Sequence, residues 1–226
     1  MKNLFSVRAF AISIAVATCA PMLTAQQAAQ SNSPVGAPPK IMNIVYQALI
    51  PGKEAAYSSQ LSRIARIYNR ASIPVYWIES SSATGDTRTM TLNFFDSFAD
   101  MDTTIDSLNN AMSAHPDLVN LQEDLLTNTS SQTNSFAVRR DDIGYRAATI
   151  DFSKARILRV ATVIVRQGSE AEFEEAMKSL AAAYEKVNAD SPWVLYQVNA
   201  GAPSTTFVFF MPMRSMQEMD EYIARG

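Results

Sequence analysis

His115 is the lone histidine of the 226 residues, and it stands directly before Pro116. An imidazole can bind a metal or move a proton, but no ligating residues are grouped with this one. Its place suits a helix end, where it would satisfy terminal carbonyls. Asn43 and Gln47 interrupt an apolar run, Ile41–Ile50. A buried polar side chain needs a partner, so Asn43 facing a cavity would be a ligand contact, with an exposed strand end as the bland alternative. Their counterparts later in the chain are Arg159 and Val163, and Arg159 is a candidate on the same grounds. Trp77 and Trp193 lie in corresponding segments, with Tyr46, Tyr68, Tyr76 and Tyr184 predicted near them. Rings with polar tips line pockets and also fill cores. The candidate ligand contacts are therefore Asn43, Tyr46, Tyr68, Trp77, His115, Arg159, Tyr184 and Trp193. Arg139-Arg140-Asp141-Asp142 reads as a solvated charge cluster. Glu170, Glu172, Glu174 and Glu175 open a helix whose dipole favours anions, without forming an acid–base pair. The sequence holds no metal-ligand cluster, Gly-rich phosphate loop or Ser/His/Asp set in a recognisable context, so no metal and no cofactor is predicted.

The elements that must position these residues recur. Ile41–Ile50 and Arg156–Arg166 are apolar on both faces, which predicts strands covered on both sides. A helix follows each. Tyr57, Leu61, Ile64, Ala65 and Tyr68 form one helical face, and Phe173, Met177, Leu180, Ala181 and Tyr184 form its equivalent. Ser169-Glu170-Ala171-Glu172 has the form of a capping box. Two strands joined by a turn come next, Val75–Ser80 with Thr87–Phe95 and then Trp193–Asn199 with Thr205–Met211. Helix starts follow at Ser97 and Ser215. Each unit thus reads β-α-β-β-α. Gly52 precedes Gly168 by 116 residues, and Tyr57 precedes Phe173 by the same interval. Pro74 and Pro192, like Met101 and Met219, are 118 apart. A two-residue insertion in the helix-to-strand loop accounts for the change, and the recurrence in one order reads as a tandem repeat. In the first unit Ala114–Asp117 breaks the second helix, Leu118–Leu126 forms another, Asn128–Asn134 reads as a loop, and Ser135–Arg140 as a fourth strand. Residues 141–154 connect to the second unit, 155–226, where either the given sequence is truncated or the unit lacks a counterpart of that last strand.

Residues 1–25 read as a signal peptide: Lys2 and Arg8, then the short apolar AFAISIAVA, then small residues up to Ala25. The run is too short to span a membrane. Cys19, the only cysteine, leaves with that peptide, or alternatively carries a lipid anchor; neither case allows a disulfide within a chain. Residues 26–40 are a polar, Pro-containing tether. The predicted chain is exported, periplasmic or secreted, and no other stretch is long and apolar enough to cross a bilayer. The formal charge is −3, and −5 without residues 1–25, which contain two basic and no acidic residues. A mildly acidic chain with no basic run argues against nucleic acid as a partner.

A β-α-β-β-α(-β) unit is the ferredoxin-like plan, with helices on one face of an antiparallel sheet and the other face bare. Two such units cover each other by packing sheet to sheet, so the predicted class is α+β, an intramolecular α+β barrel. From about Lys40 to Gly226, in this element order and duplicated apolar pattern, the sequence resembles the dimeric α+β barrel superfamily. That group includes antibiotic-biosynthesis-monooxygenase-like and NIPSNAP-like proteins. The resemblance implies a ligand cleft between sheet and helices, and members that range from cofactor-free monooxygenases to haem-degrading enzymes. The haem-degrading members use an Asn on the first strand with a Trp and a His on the second helix. Asn43 fits, but Phe98–Met112 has no Trp and His115 lies beyond it. The resulting expectation is an exported protein that binds a small apolar or aromatic molecule in a sheet–helix cleft. The alternatives are a cofactor-independent monooxygenase-like enzyme and a non-catalytic assembly module. The molecule would be a monomer with an internal pseudo-dimer, or would self-associate further.

Overall fold

A computed structural model describes residues 37–83 and 85–225. The expected signal peptide, Cys19 and residues 26–36 of the tether lie outside the described residues. The first unit comprises β1 (Ile41–Leu49), α1 (Glu54–Arg70), β2 (Tyr76–Ser81), β3 (Arg88–Phe95) and α2 (Phe98–Ala114), followed by α3 (Pro116–Leu126) and β4 (Thr129–Tyr145). The second comprises β5 (Ile157–Ile164), α4 (Glu170–Lys186), β6 (Trp193–Ala200), β7 (Thr206–Met213) and α5 (Met216–Arg225). No helix among the described residues is long and apolar enough to cross a membrane.

Local chemistry sets the helix boundaries. Ser97 is extended, and its hydroxyl accepts from the Asp100 N–H at 3.0 Å, while the Asp100 carboxylate accepts from the Asp96 N–H. At α5 the Ser215 hydroxyl and the Glu218 carboxylate make the same exchange with the Glu218 and Arg214 N–H groups. The capping box expected at Ser169 does not form: its φ of −104° and ψ of 14° are not the extended geometry from which a side chain reaches back over the first turn. Pro116 opens α3 at a position where a missing N–H costs nothing.

All seven strands form one antiparallel sheet in the order β2-β3-β1-β4-β6-β7-β5. β4 joins the units. Its first part pairs with β1 and its later part with β6. Residues 129–134, expected as a loop because they are polar, belong to this strand. Their side chains find partners across the ladder, as in the Gln47 amide donating to Gln132 at 2.9 Å. Gly201, at φ +89°, lets the turn after β6 press against β4; a Cβ there would lie 2.1 Å from the Asn134 carbonyl oxygen.

The sheet curls. Met42 and Ile44 of β1, Leu92 and Phe94 of β3, Ala137 of β4, Tyr196 of β6 and Phe210 of β7 share one apolar cluster, with Ile78 of β2 and Val160 of β5 packed against it. Only a sheet wrapped around its own face brings all seven strands to one core. Phe152, from the link between the units, fills the interior between Phe94 and Phe210. The architecture is therefore an α+β barrel of two ferredoxin-like units, with β2 and β5 as its edges. Each outer face carries a helix layer. α1, α2 and α3 bury Tyr57, Leu61, Ile64, Leu108, Leu118 and Leu121, and α4 and α5 cover Trp193, Leu195, Phe207 and Met211.

The strand registers refine the interval between the units. Asn43 pairs with Asn93 and Trp77 with Asn93 in the first unit; Arg159 pairs with Met211 in the second, and Val194 with Phe210, which sets Trp193 opposite Met211. An interval of 116 therefore holds through β2, and 118 begins at β3. The two extra residues lie in the β6–β7 turn, not before β6 as the proline spacing predicts. Trp77 and Trp193 consequently occupy equivalent positions. Equal registers follow from a shared backbone plan, with or without duplication of an ancestral unit.

Candidate functional site

Alternation along a strand sends successive side chains to opposite faces. On β1, Met42, Ile44 and Tyr46 face the barrel interior, while Asn43, Val45, Gln47 and Leu49 face the helices. On β3, Met90, Leu92 and Phe94 turn inward, and Thr89, Thr91 and Asn93 turn to the helices. On β2, Trp77 and Glu79 do so as well. The register lays these side chains out as a grid. Gln47 is opposite Thr89, Thr91 lies between Val45 and Glu79, and Asn93 lies between Asn43 and Trp77. Asn43, Gln47, Thr89, Thr91 and Asn93 are all buried. The first unit thus carries a polar layer where a core would normally be apolar.

Hydrogen bonds tie both ends of the layer to β4. The Tyr57 hydroxyl, from α1, donates to Gln47 Oε1 at 2.5 Å, and the Gln47 amide donates in turn to Gln132 Oε1. At the other end the Asn93 amide donates to Asn43 Oδ1 at 3.1 Å, and the Asn43 amide donates to Asn134 Oδ1 and to the Ser135 carbonyl oxygen. That carbonyl can only accept, so it fixes the direction of the chain. Asn93 Oδ1 is then left facing the layer with no donor. Thr91 Oγ1 and both Glu79 carboxyl oxygens are in the same condition, shut off from solvent and without a hydrogen-bond partner. Another such atom, Thr206 Oγ1, stands apart at the start of β7.

Burial pushes the Glu79 carboxyl well above the ordinary carboxylate range. The Thr89 and Tyr57 hydroxyls oppose the rise, though neither is placed to hydrogen-bond it. The Tyr57 phenol is pushed up by its own burial and then by the charge of Glu79. The stem of Glu79 is only half-buried, because β2 is an edge strand, and Trp77 beside it is half-buried too. Trp77 and Glu79 thus form the part of the layer nearest to solvent.

In the second unit the same grid is apolar. Thr89, Thr91 and Asn93 correspond to Phe207, Phe209 and Met211, Glu79 to Leu195, Gln47 to Val163 and Tyr57 to Phe173. Phe173 and Phe207 stack at 4.7 Å where Tyr57 and Thr89 meet in the first unit. Arg159, in the place of Asn43, donates to the Tyr222 hydroxyl at 2.8 Å and lies over that ring at 4.7 Å.

The candidate residues read from the sequence do not converge. Asn43 and Trp77 lie on the helix-facing layer of the first unit, whereas Tyr46 lies on the opposite face, in the barrel interior. Tyr68 is packed under α3, where its hydroxyl accepts from Gln122 at 3.0 Å and burial pushes its phenol up to about 12. His115 is exposed at the junction of α2 and α3, and its main chain closes both helices. Trp193 and Tyr184 are packed edge to face at 4.7 Å, with Tyr145 against both, as core of the second unit. Glu79, Thr89, Thr91 and Asn93 were absent from the sequence candidates. For the three β3 residues the signal is the alternation TMTLN, residues 89–93, beside a strand apolar on both faces. Alternation ordinarily marks a solvated face, but next to a doubly covered strand it marks a buried polar one.

Among the described residues no three His, Cys, Asp or Glu side chains are grouped to hold a metal. The residues present do not fit haem either. The Asn43 amide is committed to Asn134 and Ser135, and His115 faces solvent beyond α2.

No protein-family model matches the sequence, and no curated protein matches it. Two solved structures share the fold, each described as a "putative monooxygenase". One, from Lactobacillus acidophilus NCFM, is 12% identical with a TM-score of 0.50, covering 81% of this chain and 80% of that one. The other, from Fusobacterium nucleatum subsp. nucleatum, is 12% identical with a TM-score of 0.52, covering 82% and 84%. A mutant chlorite dismutase from Candidatus Nitrospira defluvii aligns at 6% identity with a TM-score of 0.45 over 82% of each chain. At such identities the likeness is one of fold.

Proposed function

We infer that this chain binds a small aromatic molecule in the sheet–helix layer of its first unit, with Trp77 against the ring and Glu79, Thr91 and Asn93 meeting its polar group. The observation that carries this reading is the set of four buried, unpartnered oxygens on three adjacent side chains. Leaving such atoms unpaired costs about 1–3 kcal/mol each, and the second unit fills the equivalent grid positions with Leu195, Phe209 and Met211. A bound polar group that completes the network would offset that cost. The native mass spectrum of the purified protein tests the reading. The expected result is an added mass that leaves on denaturation and is lost in Trp77→Ala. A bare polypeptide mass that stays bare after incubation with simple aromatic compounds would count against it.

Oxygenase-like chemistry is the second reading, favoured by the buried carboxyl. A carboxyl raised out of its ordinary range sits nearer neutrality, where a general base works best. Glu79 would accept a proton from the bound molecule and return it. Oxygen consumption with a candidate phenol, abolished in Glu79→Gln, would support this reading; binding without turnover would leave a binding protein. Export belongs to the same proposal, since residues 1–25 carry the signal features, and the N-terminal residue of the mature chain tests it.

A further inference from the structure

We propose that the polar head of the ligand is a small cation rich in hydrogen-bond donors, such as a primary ammonium or an amidinium. This rests on the binding reading above and specifies what the layer would recognise. The unsatisfied atoms decide the chemistry. With Glu79 ionised, the form a bound cation favours, Glu79 Oε1, Glu79 Oε2 and Asn93 Oδ1 are all acceptors, and Thr91 Oγ1 can either give or take. A carboxylate or phosphate would bring more acceptors to a site already short of donors. A single hydroxyl brings one donor for three acceptors. An ammonium brings three, with the charge opposite to that of the carboxylate.

The Ser135 carbonyl fixes the orientation of the Asn43 amide, and Asn43 in turn fixes that of Asn93, so Asn93 Oδ1 faces the layer. The protein provides no cation of its own here. Tyr57 from α1, Thr89 and Thr91 from β3 and Trp77 on β2 surround the carboxyl, and among the described residues no Lys, Arg or His forms an ion pair with it. Trp77 lies opposite Asn93 and two residues from Glu79 on the same face, so an indole borders the acceptors, and indole is the preferred aromatic surface for a cation. In the second unit Arg159, half-buried on the edge strand β5, likewise sets its guanidinium over a ring, that of Tyr222. The burial that raises the carboxyl also predicts that binding a cation will release a proton, because the ligand restores the charged form.

Three probes of one shape test the inference: benzylamine, benzyl alcohol and benzoate, each titrated into the full chain at pH 8. The readout is the indole N–H resonances, of which the two tryptophans give two, assigned with Trp77→Phe. Benzylamine should shift the Trp77 signal saturably and benzoate should not. Glu79→Gln should weaken benzylamine by about tenfold or more, the worth of a charged hydrogen bond, and leave benzyl alcohol unchanged. Glu79→Asp, which keeps the charge, should retain the preference for the amine, and the same spectra show whether each variant is folded. If benzoate or benzyl alcohol binds as well as benzylamine, or Glu79→Gln leaves the amine unaffected, the cation inference is overturned while binding stands. If none of the three moves the Trp77 signal of the folded protein, the binding reading fails and takes this inference with it.

Discussion

Replacing Glu79 by Gln should change how stability depends on pH, and the sign follows from the geometry. The carboxyl oxygens are buried and unpaired, so the folded state raises the pKa above the ordinary value of 4.5. The folded protein therefore holds this proton more tightly than the unfolded chain. Below the unfolded value both states are protonated and burial of the charge costs nothing. As pH climbs from there towards the folded value, the unfolded chain ionises first and stability falls. The limiting slope for one such group is about 1.4 kcal/mol per pH unit. For a domain of this size that corresponds to about 3–6 °C in Tm per pH unit. Gln has the same shape and does not titrate, so the difference in Tm between Glu79→Gln and the wild type should grow in favour of the variant from pH 4.5 upward, then level off. Thermal melts of both proteins between pH 4 and pH 8 measure it, and taking the difference removes every other titrating group. A flat difference would show that Glu79 is not buried as described. A variant that loses ground as pH rises would show an ionised, well-paired carboxylate, and the account of the site would be wrong.

Three further substitutions probe the surroundings, each read by chemical denaturation. Tyr57→Phe removes the hydroxyl that donates to Gln47 and should cost about 1–2 kcal/mol, even though Phe173 is the natural residue at the equivalent place. Trp193→Ala empties the fully buried centre of the Tyr145–Tyr184–Trp193 group and should cost about 3–5 kcal/mol. Gly201→Ala forces a Cβ into the Asn134 carbonyl at the seam between the units and should cost more than about 1 kcal/mol; a neutral result would mean that the turn after β6 does not rest on β4.

The apolar periodicities reveal the scaffold because they reflect burial directly. Residues 41–50 are apolar on both faces because helices cover one side of β1 and the curled sheet covers the other. The stripe Tyr57, Leu61, Ile64 and Tyr68 is the buried stripe of α1. The polar strand residues were harder to read, since Thr and Asn at alternate positions look alike whether they meet water or a helix layer. Residues 129–134 read as a loop for the same reason. The partners that make them a strand, Asn43 and Gln47, are more than eighty residues away, a pairing that no local pattern encodes. Asn43 was legible as a polar intruder, but its partner Asn93 and the carboxyl of Glu79 become visible as a group only once the register sets them side by side.

The contrast between the two units separates structural need from function. Both share one backbone plan and one pairing register, so whatever the fold itself requires should appear in each. The hydroxyl caps at Ser97 and Ser215 meet that test. The acceptor cluster fails it. Leu195, Phe209 and Met211 fill the positions of Glu79, Thr91 and Asn93 with tight aromatic and aliphatic packing, so the scaffold is evidently satisfied without polar atoms there. A buried carboxyl with no partner lowers stability wherever it stands, and apolar replacement of comparable buried groups often raises it. Its presence in one unit, beside an indole on an accessible edge strand, therefore has no explanation in folding. The donor proposed above would satisfy the carboxyl, the hydroxyl and the amide oxygen together, and the second unit, apolar at those positions, would not need it.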